Sequence, residues 1–234
     1  MNINDIIDEV VKIRLELPND PANPIDFDLS PVKPYIGDEE IKLIIIGQDP
    51  TIRNKQRRKY INTTLNLDKN GALKTYVENI CRELDISVQN VYATNIFKYF
   101  YSIPPADTPN VLIKHKIQNI ELLNKEIECY KDSPIITLGE PVLRLLTNEG
   151  EKVRDYWNFQ ERGYKYLSPD NNILRRYIFP FPHQPSMRKL LYNSNFKDYI
   201  KSETLALEIN RVNDESLEKH NLNDHMTGIK VTRK

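Results

Sequence analysis

Ile41-Lys42-Leu43-Ile44-Ile45-Ile46-Gly47-Gln48-Asp49-Pro50 is an aliphatic run, mostly β-branched, that stops at Gly-Gln-Asp-Pro. Its apolar residues do not alternate with polar ones. That pattern fits a strand covered on both faces, as in a parallel sheet. Gly47 can adopt backbone angles closed to other residues. Pro50 fixes its own φ and pushes Asp49 out of the helical region. A carboxylate is thereby held at the carboxyl end of a buried strand, where open α/β sheets place their ligands. An Asx turn closing the strand accounts for the same residues structurally.

Upstream of this strand, residues 4–17 have the periodicity of an amphipathic helix, started by Asn4 or Asp5 and ended at Pro18. Residues 18–38 hold five prolines and read as an extended surface wrap. Downstream, Arg53, Lys55, Arg57, Arg58 and Lys59 put five cations into seven residues. Charge runs usually form solvated loops, but this one follows the strand-end carboxylate and suits phosphate contact. A helix over 72–85, a strand over 88–95 ending at Asn95, a Pro-rich loop at 101–109 and a helix over about 110–130 come next. A buried strand at 134–138 stops at Gly139 and leads into a short helix at 140–147. Residues 150–175 lack clear periodicity and read as a hairpin or excursion. The strand 177–181 runs into Pro182-His183-Gln184-Pro185-Ser186, and a helix follows to about 201.

Strands and helices alternate, which predicts a three-layer α/β/α sandwich around a central four-stranded parallel sheet with right-handed crossovers. We expect one α/β domain over 1–202, with residues 1–40 as its amino-terminal helix and Pro-rich wrap. A charged extension follows at 203–234, with a short helix near 203–213 and a frayed end. Asp49, Asn95 and His183 then leave three strand ends on one edge of the sheet. A carboxylate, an amide and an imidazole make a base, a hydrogen-bond reader and an anion stabiliser.

Composition narrows the classes. The 33 Lys and Arg balance the 33 Asp and Glu, which argues against an all-over basic coat but permits a basic patch. Cys81 and Cys129 are the two cysteines and form no CxxC, so no four-thiolate metal or iron–sulfur site is available. There is no apolar run of bilayer length and no signal-peptide pattern. With so few cysteines, a reducing cytoplasm is the expected location. A Gly-rich phosphate loop and a Gly-x-Ser-x-Gly elbow are absent, which argues against a nucleotide or acyl enzyme of those types.

Four segments in order resemble the uracil-DNA glycosylases. Gly47-Gln48-Asp49-Pro50 is similar to that family's first motif. Val91-Tyr92-Ala93-Thr94-Asn95 resembles its strand ending in the asparagine that reads uracil. Ile135-Ile136-Thr137-Leu138-Gly139 is similar to the apolar strand that follows. His183-Gln184-Pro185-Ser186 resembles its His-Pro-Ser motif with one residue inserted. Thr75 to Ile80 also resembles the helix after the first loop. The matches span roughly residues 41–190. Departures mark a divergent member: Thr51 replaces the aromatic residue after Asp-Pro, and Ile52 replaces the histidine that follows. The phenylalanine that stacks on the flipped base has no clean counterpart; Leu65 is the nearest apolar residue and Tyr60 the nearest aromatic.

The resemblance implies a monofunctional DNA glycosylase that cleaves the N-glycosidic bond of a flipped-out uracil or other deaminated base. Asp49 and His183 would be catalytic. Gln48, Pro50, Thr51, Leu65 and Asn95 would contact the base. Arg57, Arg58, Lys59, Ser186, Met187 and Arg188 would contact DNA, with Lys189 beside them. No metal or redox cofactor is implied, and the expected partner of this monomer is uracil-containing or damaged DNA. The alternative is a weak or inactive glycosylase fold kept for binding DNA or protein.

Overall fold

The computed structural model describes residues 1–147, 151–158, 165–183, 194–202, 205, 206 and 209. Its strands are β1 (Tyr35–Ile36), β2 (Leu43–Gly47), β3 (Val91–Asn95), β4 (Ile135–Leu138) and β5 (Ile178–Phe181). Every residue of β2, β3, β4 and β5 is buried, as expected for the aliphatic run of β2 and the largely apolar strands beside it. The sheet order is β1-β3-β2-β4-β5. Pairing is parallel from β3 to β5 and antiparallel between β1 and β3. The sheet therefore has five strands rather than four. The extra one is a two-residue edge within the Pro-rich wrap, where Tyr35 pairs with Ala93 and Ile36 with Tyr92. Two residues among prolines are too few to show a period of two.

The α-helices of the described residues are α1 (Ile3–Glu16), α2 (Lys55–Arg58), α3 (Ala72–Glu83), α4 (Asn110–Ile127), α5 (Glu140–Leu146), α6 (Val153–Trp157) and α7 (Ser194–Ile200). From β2 the chain steps to β3 through α3, then crosses back to β4 through α4. Right-handed crossovers in opposite directions put those two helices on opposite faces. Their partners agree: α4 packs with α1, whereas α3 packs with α7.

Local chemistry sets the boundaries. Asn2 caps α1, accepting from the Asp5 N–H while the Asp5 carboxylate accepts from the Asn2 N–H. The cap lies two residues before the expected Asn4 because this reciprocal box needs an acid at the third helical position. The segment read as a hairpin or excursion contains α6 and an isolated bridge from Leu167 to Ile178. The carboxyl-terminal extension is not wholly outside the core, since Leu205 and Ile209 are buried in it. The rest of the helix expected near 203–213 and the tail beyond lie outside the described residues. Among the described residues no helix is long and apolar enough to cross a membrane.

Candidate active site

Register brings the strand ends together. Gly47 pairs with Asn95, Ile46 with Thr137, and Leu138 with Phe181. The loop after β2 departs toward β3 and the loop after β4 toward β5, so the crevice between β2 and β4 is a topological switch point. A cavity of about 520 Å³ opens there, a size typical of small-ligand sites. Gln48, Asp49, Pro50, Thr51, Leu65, Asn95 and His183 all line it. Among the described residues no group of three His, Cys, Asp or Glu is placed to hold a metal ion.

Asp49 is half-buried. Its Oδ1 accepts from the Thr51 N–H at 2.7 Å, so the turn closes as an Asx turn while the carboxylate still faces the cavity. Desolvation pushes its pKa from the ordinary 3.8 to about 6, opposed by the Thr51 hydrogen bonds and by the positive charge of Arg58. A carboxylate poised near neutrality suits a general base. The Thr51 hydroxyl accepts from the Tyr101 N–H at 2.9 Å, tying the Asp49 turn to the chain beyond β3.

Asn95 is 3 % exposed, and its carboxamide has no hydrogen-bond partner among the described residues. Buried amides are normally paired, so this one is free to read a ligand. Its Oδ1 lies only 2.4 Å from where a side chain on Gly47 would begin; Gly47 is what allows the amide to lie across the end of β2. Beneath it, Lys98 Nζ donates to the Asn95 carbonyl at 2.9 Å and pairs with Glu126 at 2.6 Å. Tyr92 Oη donates to the same carboxylate at 2.5 Å. Lys98 and Glu126 are both fully buried. Sequence reasoning missed this pair. Lys98 lies three residues past Asn95, and Glu126 falls on the apolar stripe of α4, so a charge on a buried face was the only signal.

His183 stands exposed at the rim, and desolvation by the surrounding protein lowers its pKa, favouring the neutral ring. Its approach requires Gly139. That residue has φ +92°, and a side chain on it would start 3.2 Å from His183 Cβ. The Gly139 N–H donates to the Phe181 carbonyl at 2.7 Å. Tyr76 Oη, from α3, donates to the Pro182 carbonyl at 3.0 Å. The far wall is Pro104, Pro105 and Ala106, from the Pro-rich loop whose prolines had marked only a turn.

The basic run divides. Arg58 is 1 % exposed and cannot contact phosphate. Its guanidinium donates to the carbonyls of Ile52, Tyr101 and Ser102 at 2.8, 2.7 and 3.2 Å, and Asp26 lies at 3.7 Å. Five fixed donors let one arginine satisfy several buried carbonyls, which is why this cation turns inward. Arg53 pairs with Asp107 at 3.1 Å, joining the two segments that line the cavity at Ile52 and Ala106. Arg57 and Lys59 remain exposed. Gln184, Ser186, Met187, Arg188 and Lys189 lie outside the described residues.

A family model for the Uracil DNA glycosylase superfamily matches residues 34–204. A search of curated proteins found no match. The matched span takes in all five strands, the unpaired amide of Asn95, and the loops that carry Asp49 and His183. On that span the chain belongs to the uracil DNA glycosylase superfamily.

Proposed function

We propose that this protein is a monofunctional DNA glycosylase that hydrolyses the N-glycosidic bond of a flipped-out uracil or other deaminated base. One observation carries the reading: Asp49, Asn95 and His183, from three strand ends, line a single cavity in which the Asn95 amide is unpaired. Membership of a superfamily of DNA glycosylases supports it.

The base must leave the stack to reach this cavity, at a cost of about a few kcal/mol. Asn95 offers an acceptor and a donor, which suits the O4 and N3 edge of uracil. As the glycosidic bond breaks, its electron pair goes to the departing base and positive charge collects on the sugar. His183, as a neutral donor, stabilises the base anion. The Asp49 carboxylate offsets the sugar cation and takes a proton from the water that adds to the sugar carbon. The hydrolysis involves no net oxidation or reduction, and these roles call for no metal. On this reading the protein works as a monomer in the cytoplasm.

The cavity wall bears on which base is taken. Thr51 and Ile52 stand where the family places an aromatic ring and a histidine, and Ile61 adds another aliphatic face. A missing ring cannot reject a 5-methyl group or a purine, so selectivity is looser than for uracil alone. The test is single-turnover release from strands carrying uracil, hypoxanthine, xanthine or mismatched thymine. Asp49→Asn should slow release about 10²–10⁴-fold and His183→Ala about 10²–10³-fold, with DNA binding retained. Unchanged rates in both variants, or no release of any base by the wild type, would overturn the catalytic reading.

A further inference from the structure

A second cavity of about 490 Å³ adjoins the first. Ile52, Ile61, Leu65, Asn66 and Leu73 line both, so the two share one wall. Leu65 and Asn66 sit in that wall with φ of 58° and 52°, a left-handed conformation uncommon for residues other than glycine. Beyond the wall the second cavity is lined by Arg57, Tyr60, Lys69 and Lys74 and by no acidic residue. Neither Arg57 nor Lys74 has an ion-pair partner among the described residues. Tyr60 is 62 % exposed, with Lys59 Nζ 5.2 Å from its ring centre. Lys69 donates to the Tyr60 carbonyl and fixes the segment that carries the ring.

Tyr60 therefore does not face the cavity that holds Asp49, Asn95 and His183. It faces the next one along. From this juxtaposition we infer that the second cavity receives the nucleotide adjacent to the excised one, its base stacked on Tyr60 and its phosphate met by Arg57 and Lys74. Aromatic rings beside a cationic groove are how single strands are held without sequence readout. A neighbour lodged there has left its own stack and pair, so the substrate this surface fits is single-stranded or locally melted DNA. The inference rests on the glycosylase reading only in placing the excised base in the first cavity.

The test is equilibrium binding of a single strand with one central uracil, 2′-fluorinated on its sugar to block cleavage. It is compared with strands in which the 5′ or the 3′ neighbour is an abasic tetrahydrofuran. Removing the base on one side should weaken wild-type binding roughly 5- to 150-fold. Tyr60→Ala should cause the same loss on the intact strand and show no further loss on that abasic strand. Tyr60→Phe should bind like wild type. If Tyr60→Ala and base removal weaken binding independently, or neither weakens it, the inference is overturned. Base release is scored separately on unfluorinated strands. No release with the coupling intact removes the catalytic reading alone, whereas release without coupling removes the second cavity alone.

Discussion

Asn95 ends a strand buried on both faces, while Leu65, close by on the same cavity, stands in a loop that is left-handed at two successive residues. The first wall is built by the sheet. Backbone pairing to Gly47 sets where Asn95 begins, and the buried Lys98–Glu126 pair fixes its carbonyl. The second wall has only an isolated bridge between Lys33 and Thr63, where the Lys33 N–H donates to the Asn62 carbonyl and the Thr64 N–H to the Lys33 carbonyl. Side chains hold the chain on either side of it: Arg58 donates to three carbonyls, and Arg53 pairs with the Asp107 carboxylate. A ladder leaves little freedom, so Asn95, the group proposed to read the base, is fixed by the sheet. A loop pinned at a few points can vary, and this loop carries the departures from the family's base-contacting residues.

The sharpest way to break that contrast is to remove the loop's main pin. Arg58→Ala strands Asp26 and three carbonyls, and removing one partner of a buried charged network costs about 3–5 kcal/mol. Arg57→Ala, one residue away and exposed, should stay within about 0.5 kcal/mol in urea unfolding. It should instead lower the slope of log K against log salt for DNA binding by roughly one. Equal effects of the two on stability would erase the distinction.

The second test uses pH. Asp49 has a folded pKa of about 6 against an ordinary 3.8, so between those values the native state binds more protons than the unfolded chain. Stability should therefore fall as pH rises from about 4 to about 6, by up to about 3 kcal/mol. Base release should rise through the same window as the carboxylate ionises. Asp49→Asn should remove this component and be the more stable protein at pH 7. Parallel stability–pH curves for the two proteins would contradict the assignment.

The third concerns the sheet wall. A methyl group on Gly47 would touch Leu65 at an ordinary 3.6 Å and clash only with the tip of Asn95, a side chain that can swing aside. Gly47→Ala should leave the melting temperature nearly unchanged yet slow base release on the order of 10²-fold, the cost of misplacing a positioned group by about an ångström. A large loss of stability with normal turnover would show that the glycine serves the fold and not the reader.

What the sequence disclosed follows the same division. The largely apolar runs of β2, β4 and β5 and their terminal turns were legible because burial on both faces leaves a nearly continuous apolar signature. Asp49, Asn95 and His183 could be read as strand-end residues for that reason. Arg58 could not be told from Arg57, because an arginine satisfying carbonyls and one facing water have the same neighbours in sequence. Tyr60 was legible as an aromatic near the site, but which cavity it faces depends on the turn at Leu65. β1 was hidden because it exists only through its pairing with β3.

Gly139 ties the placement of His183 to the edge of the sheet. His183 reaches the rim only when the Gly139 N–H has met the carbonyl of Phe181 and the chain after β5 has closed over that glycine. β5 is the last strand of the sheet in sequence and sits at its edge, joined to β4 across a long stretch of chain whose closure is slow. Asp49 and Asn95 belong to the two strands that pair first along the chain. A chain whose edge strand has come away would keep the supports of Asp49 and Asn95 and lose that of His183. On the proposed reading, carboxylate, amide and imidazole converge only in the completed sheet, so loss of its edge strand would cost the imidazole alone.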